Sequence, residues 1–223
     1  NALVRRAYPR AEVHASRAIV DAMNGFLANY RRQLADMAAG HPDSPELPNW
    51  LAEMARIDQG ALLHPTIPII ENGRRRLSGR DLDIHLTTAA ATDGDVWVYD
   101  SASRTLIAGD LVTLPVPFLD TACPAGWRKA LDALDDAPFM RLVPGHGAVM
   151  DRKDFRRYRI AFGHLVDCAG RSRSDAAECS ERWVRDLGSL LSPDEQKQAL
   201  DLLGYYVDQR LRGAASTADC RTR

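Results

Sequence analysis

Apolar residues recur along this chain with two different periods, and the changes between them mark out its elements. Residues 10–14 alternate like a short strand. Ile19, Val20, Met23, Phe26, Leu27, Tyr30, Leu34 and Met37 then fall at helical spacing, and Gly40 with Pro42 ends that helix. Residues 41–48 carry three prolines and read as loop before a short helix over 50–57. From Thr66 the period drops to two. Residues 67–70, 76–77 and 82–86 read as strands, and Asn72-Gly73 is a hairpin signal between the first two. Two further strands, Val96–Tyr99 and Thr105–Ala108, are joined by the turn at 100–103. Pro124 suits the first turn of a helix whose apolar face is Trp127, Ala130, Leu131 and Leu134, and residues 141–143 form a last strand. Beyond His146 the pattern is helical. One face runs through Phe155, Tyr158, Phe162, Leu165 and Val166. A second follows the cap pattern Asp175-x-x-Glu178 and carries Trp183, Val184 and Leu187. A third opens at Ser192-Pro193-Asp194-Glu195 and carries Ala199, Leu202, Leu203, Tyr206 and Val207. Residues 213–223 read as a frayed polar tail.

At 223 residues, 45% hydrophobic and 26% charged, the chain can bury one sizeable core with an appendage. A formal net charge of -1 gives no electrostatic case for nucleic acid or an anionic membrane as partner. No apolar run approaches the roughly 18 residues of a membrane span. The chain opens at Asn1 with no targeting segment, which reads as a processed or truncated product and leaves export open. Its four cysteines, Cys123, Cys168, Cys179 and Cys220, form no C-x-x-C pair. Cys168 and Cys179 flank a polar stretch between two predicted helices. They are either a disulfide stapling a helical hairpin or two reduced, partly buried thiols.

Two short motifs carry metal-competent side chains. Leu106-Ile107-Ala108-Gly109-Asp110-Leu111-Val112 and Leu142-Val143-Pro144-Gly145-His146-Gly147 each run from an apolar strand into a turn, with a carboxylate or an imidazole at the tip. Both groups are ordinary zinc ligands, and the adjacent glycines permit sharp turns. Thr92-Asp93-Gly94-Asp95-Val96 precedes them, and a Tyr8-Pro9-x-Ala11-x-Val13 segment leads into the first helix. In this order the motifs resemble the second half of the metallo-β-lactamase superfamily. Its first metal motif, His-x-His-x-Asp-His, occurs nowhere in the chain.

The resemblance implies an α/β fold, a metallo-β-lactamase-like αββα sandwich, N-terminally truncated, with a C-terminal helical extension. Residues 1–150 would be the metallo-β-lactamase-like domain, 151–213 the extension and 214–223 a disordered tail. It also implies a zinc-dependent hydrolase with up to two zincs in the full-length parent. Metal-bound hydroxide would attack an ester, thioester, amide or lactam carbonyl of a small-molecule substrate. Asp110 matches the bridging carboxylate, with a catalytic and a metal-holding role, and His146 matches the last metal histidine. Asp95 matches a structural carboxylate. The family's middle histidine falls on Ala91, which cannot ligate a metal. That change favours an alternative, a non-catalytic binding protein of the same fold, and also admits a one-zinc hydrolase. The nearest histidine, His85, lies six residues earlier on a strand and is a poor replacement, since a metal site tolerates only small ligand displacements. An imidazole restored at 91 is expected to sit at a loop tip and raise zinc occupancy. Residues 113–120, with two prolines, suggest either a stiff apolar wall beside the site or an ordinary loop packed on the sheet. His14, His41, His64 and His164 have no ligand-like spacing and read as surface or helix-packing residues. The Tyr205-Tyr206-Val207-Asp208 helix resembles exported members of the family, so the expected location is periplasmic or secreted, with cytoplasmic as the alternative.

Overall fold

A computed structural model describes residues 2–60, 64–171, 175–213, 217 and 220. It divides into two compact units, Asn1–Ile70 and Glu71–Arg223. The first holds helices α1 (Ala2–Ala7), α2 (Ala18–Asn24), α3 (Phe26–Gly40) and α4 (Leu47–Ile57), with strands β1 (His14–Ser16) and β2 (Ile67–Ile69). These two strands pair in parallel, His14 opposite Ile67, and the Val13 N–H is bound by Thr66 Oγ1 at 2.8 Å. The single helix expected over 19–37 is two, because the backbone leaves helical geometry at Gly25 (φ -103°, ψ -98°).

The second unit is built on a five-stranded sheet in the order β3 (Gly73–Leu77), β4 (Arg80–Thr87), β5 (Asp95–Asp100), β6 (Thr105–Thr113) and β7 (Arg141–His146). Neighbours are antiparallel except β6 and β7, which are parallel. Parallel neighbours need a crossover, and α5 (Pro124–Asp136) supplies it. Strand β3 is one edge of this sheet and carries three consecutive arginines, of which Arg74 pairs with Asp83 and Arg76 with Asp81 on β4. The hairpin turn is not at Asn72-Gly73. It is at Ser78-Gly79, where both residues have positive φ (49° and 81°) between the paired Leu77 and Arg80. That is the backbone of a two-residue hairpin loop matched to strand twist. Asn72 instead accepts a hydrogen bond from the Leu86 N–H at 2.7 Å, and β2 pairs with β1 rather than β3.

Helices α6 (Arg152–Ala169), α7 (Ala176–Leu187) and α8 (Pro193–Arg210) complete this unit, with a 3₁₀ turn at Gly188–Leu190 between the last two. Their apolar faces join one core with the sheet and α5: Leu106, Leu111, Trp127, Phe155, Tyr158, Phe162, Trp183, Leu203 and Val207 are all buried. Ser192 and Glu195 form the reciprocal cap that opens α8, and Asp175 caps α7 through the Ala177 N–H. The tail expected over 214–223 falls largely on residues 214–216, 218, 219 and 221–223, outside the described residues, while Cys220 is bonded to Cys123.

Of the two readings left open for Cys168 and Cys179, the structure has the disulfide, joining α6 to α7 across 11 positions. Closing so short a loop stabilises the hairpin by about 2–3 kcal/mol in the chain-entropy model. Replacing both cysteines with serine is expected to lower the urea midpoint accordingly. An unchanged midpoint would show that helix packing alone holds α6 to α7.

Candidate active site

The pairing of β6 with β7 slips at the point where the chemistry sits. Gly109 lies opposite Pro144 and Thr113 opposite His146, so Asp110, Leu111 and Val112 face the single residue Gly145. A bulge of this kind bends a strand and re-aims its side chains. Gly109 makes the bend at φ +55°. Gly145 permits the approach: a Cβ there would stand 2.6 Å from Asp110 Oδ1 and 2.8 Å from the Gly109 carbonyl. Leu111 and Val112 turn into the core, while Asp110 and His146 emerge together, with His146 Nε2 4.0 Å from Asp110 Oδ1 and both side chains more than half exposed. The two candidate ligands are thus brought together.

Position 91 is placed otherwise than expected, while His85 lies on a strand, β4. The loop carrying Ala91 is not a tip but is folded beneath the start of α5. Ala89, Ala90 and Ala91 are 7%, 0% and 0% exposed. Cys123 N–H donates to the Ala90 carbonyl at 2.8 Å, Thr121 Oγ1 to the Ala91 carbonyl at 3.2 Å, and a Cβ at Gly126 would meet the Ala89 carbonyl oxygen at 1.9 Å. A larger side chain at 91 would have to be accommodated in the protein interior. His85 stacks on Trp97 directly across the strand pair, ring centroids 3.7 Å apart, and burial lowers its pKa. Among the described residues, no group of three or more His, Cys, Asp and Glu side chains is arranged to hold a metal ion.

Asp95 ties the loop to the sheet, as its resemblance implies. It accepts hydrogen bonds from Thr92 N–H and Thr92 Oγ1, both at 2.9 Å. Burial is the dominant influence on it and pushes its pKa up to about 7, opposed by the Thr92 bonds and assisted by the nearby Asp110 charge. The folded-state value lies above the unfolded one, near 3.8, so folding disfavours the charged form. Below about pH 4 the group is neutral in both states and costs nothing. As pH rises toward 7 it withdraws stability, by up to a few kcal/mol. Urea midpoints at pH 5 and pH 8 are expected to fall further for the wild type than for Asp95→Asn. Parallel falls would assign the slope to other groups.

The segment 113–120 is fixed on several sides. Leu114 N–H donates to the His146 carbonyl at 3.0 Å, and Gly147, at φ +111°, packs against the Leu114 side chain. Trp183 Nε1 donates to the Pro115 carbonyl at 2.9 Å. Asp120 accepts from Tyr206 Oη at 3.0 Å and from Arg210 at 3.2 Å. Beneath β6 lies Tyr158, wholly buried, with its hydroxyl accepting from the Thr113 N–H at 3.4 Å. Burial raises the pKa of that phenol well above its ordinary value. The sequence marked Trp183, Tyr206 and Tyr158 as apolar-face residues and did not signal these polar bonds. Of the remaining histidines, His164 bonds Asp186 across α6 and α7 at 2.7 Å and His14 bonds Glu12 at 3.0 Å.

No protein-family model matches this chain, and no curated protein matches it either. Solved structures do. One is a metallo-β-lactamase from Pontibacter korlensis, 16% identical over 73% of this chain and 74% of that one, with a TM-score of 0.45. Another is a metallo-β-lactamase family protein from Thermus thermophilus, 15% identical over 89% of this chain and 67% of that one, with a TM-score of 0.48. A stereoselective inverting sec-alkylsulfatase from Pseudomonas sp. is 17% identical over 66% of this chain and 27% of its own length, TM-score 0.44. The structures this chain is similar to are metallo-β-lactamase-fold proteins.

The donor set tests whether zinc fits. Two ligands of one tetrahedral zinc, with bonds near 2.0–2.1 Å, stand about 3.4 Å apart. His146 and Asp110 stand 4.0 Å apart, a few tenths of an ångström beyond that spacing, and both side chains are more than half exposed. A catalytic zinc takes three protein ligands, and only these two are brought together among the described residues. The pair fits part of a zinc site and does not complete one.

Proposed function

We propose that this chain is part of a hydrolase of the metallo-β-lactamase superfamily, in which Asp110 and His146 contribute to a zinc centre that cleaves a carbonyl compound of small size. The observation that carries this reading is the juxtaposition of Asp110 and His146 by the β6–β7 bulge, which Gly109 and Gly145 make possible. A strand that sacrifices regular pairing and two side chains to expose a carboxylate beside an imidazole is built for a ligand rather than for stability. Zinc, when bound, would bring the pKa of a coordinated water toward neutrality. The residues of this chain hold and aim: Asp95 anchors the neighbouring loop through Thr92, and 113–120 stands against His146 through Leu114. Two disulfides support an oxidising compartment, a periplasm or the exterior, as the working location. No helix among the described residues is long and apolar enough to cross a membrane.

A second reading, a non-catalytic binding protein of the same fold, is favoured by one observation. Ala91 is buried at the position of a metal histidine, and no third ligand joins Asp110 and His146 among the described residues. One experiment separates the two. In the product of the complete gene, zinc content and hydrolysis of ester, thioester and lactam substrates are measured for wild type, Asp110→Ala and His146→Ala. Stoichiometric zinc, with a loss of at least 100-fold in activity in each variant, is expected. A soluble wild type without zinc or turnover would establish the binding-protein reading.

A further inference from the structure

The first two turns of α6 present an unusual charge pattern. Arg152 and Lys153 occupy the first turn, where the positive end of the helix dipole favours anions over cations. With Arg156 and Arg157 one turn later, Ile160, and Asp186 of α7, they line an open cleft of ≈ 590 Å³.

The partners of these cations divide them. Arg152 is committed to structure: it donates to the carbonyls of Ala137 and Asp135 and lies over the Phe139 ring at 4.8 Å. Arg156 gives its Nε to both oxygens of Asp135, at 3.0 and 3.4 Å, in an ion pair. Arg157 reaches only the Leu187 carbonyl and Ser189 Oγ, both at 3.4 Å, and no carboxylate among the described residues. Lys153 is exposed and has no ion-pair partner among the described residues. The one carboxylate lining the cleft, Asp186, is paired with Arg182 of its own helix at 3.6 Å and hydrogen-bonded to His164 of α6 at 2.7 Å. At the same helix end the Asp151 side chain serves the N-cap, its Oδ1 accepting from the Asp154 N–H, while the Asp154 carboxylate adds a negative charge in the first turn.

The cleft thus holds Lys153 and Arg157 without a carboxylate partner among the described residues, next to Arg152 and Arg156, which share Asp135, and to an exposed apolar side chain. Guanidinium forks and ammonium groups recognise phosphate oxygens in this arrangement. We propose that the α6–α7 cleft is a binding site for a phosphate group carried on a small organic body, with Lys153, Arg156 and Arg157 holding the phosphate and Ile160 meeting the apolar part. Neither Asp110 nor His146 lines the cleft, and the proposal does not depend on the hydrolase reading.

The test titrates the 223-residue chain, at about 50 mM salt, where phosphate contacts are weakly screened, with inorganic phosphate and with phenyl phosphate, followed by NMR. Vesicles containing phosphatidic acid form a parallel arm. Saturable binding is expected, with shifts confined to residues 152–160 and 186–189 and phenyl phosphate tighter than phosphate. Lys153→Gln/Arg157→Gln should weaken it at least tenfold, and Lys153→Gln alone, at an exposed position that cannot unfold the chain, at least threefold. Lys197→Gln, on α8, should change nothing. Binding to vesicles alone, lost in the double variant, would assign the phosphate to a lipid headgroup. Absence of saturable binding in both arms, or binding equally strong in Lys153→Gln, would overturn the proposal.

Discussion

Trp183→Ala is expected to lower the unfolding free energy of this chain by about 3–5 kcal/mol, the range for emptying a large buried aromatic site. Trp183 is 0% exposed, packs edge-on against Tyr158 at 5.6 Å and gives its Nε1–H to the Pro115 carbonyl. Truncation therefore does two things. It opens a cavity where α6, α7 and the sheet meet, and it leaves a carbonyl of the 113–120 segment without its donor. The second effect reaches the candidate site, because the neighbouring Leu114 N–H is bonded to the His146 carbonyl. Chemical denaturation measures the first, and the His146 imidazole resonances report the second. Trp183→Phe should recover most of the packing but not the His146 environment. If Trp183→Ala costs less than about 1 kcal/mol, well under the range for a buried aromatic, the α7 helix is not part of the cooperative core.

The second large effect reverses the expectation formed from sequence. Ala91→His is expected to destabilise the chain by about 1–3 kcal/mol or more through overpacking, and to leave zinc affinity no better. An imidazole brings a whole ring to a position with 0% exposure, on a loop whose carbonyls are claimed by Cys123 and Thr121 and whose Ala89 carbonyl lies against Gly126. Thermal denaturation and zinc titration of the variant check both halves. A variant as stable as wild type and with tighter zinc would mean that the loop swings out and exposes position 91.

How far the sequence could be read follows from what each signal encodes. Periodicity placed the C-terminal helices and the α5 face well, since Trp127, Leu131, Phe155, Phe162, Trp183 and Leu203 are indeed buried on one side. Capping residues located the start of α8 to the residue. The hairpin was misplaced because Asn-Gly is a local propensity, and Ser78 adopts positive φ under the strand pairing around it. For the candidate site, Asp110 and His146 were legible as metal-competent residues beside glycines. His146 does end β7, but Asp110 lies inside β6 at its bulge rather than at a strand end. Their proximity follows from parallel pairing of β6 and β7. The fate of Ala91 was not legible. Its burial is set by how tightly α5 sits on the preceding loop, a distance between elements that no spacing along the chain records. The commitments of Trp183 and Asp120 to 113–120 were hidden for the same reason, each linking positions 68 to 90 residues apart.

The arginines of β3 bear on how this molecule lives in a crowd. An edge strand offers unpaired backbone groups to any passing strand, and another copy of the same edge is the commonest such visitor. Arg74 and Arg76 are shared with Asp83 and Asp81, but Arg75 points to the other face with no carboxylate among the described residues opposite it. Two such edges meeting antiparallel would set guanidinium against guanidinium at the spacing where like charges repel. The repulsion is a colloidal barrier written into three codons, and it weakens with ionic strength as the screening length contracts from about 10 Å at 0.1 M to about 3 Å at 1 M. Concentrated salt thus exposes the sheet edge to self-pairing, and dilute buffer keeps copies apart.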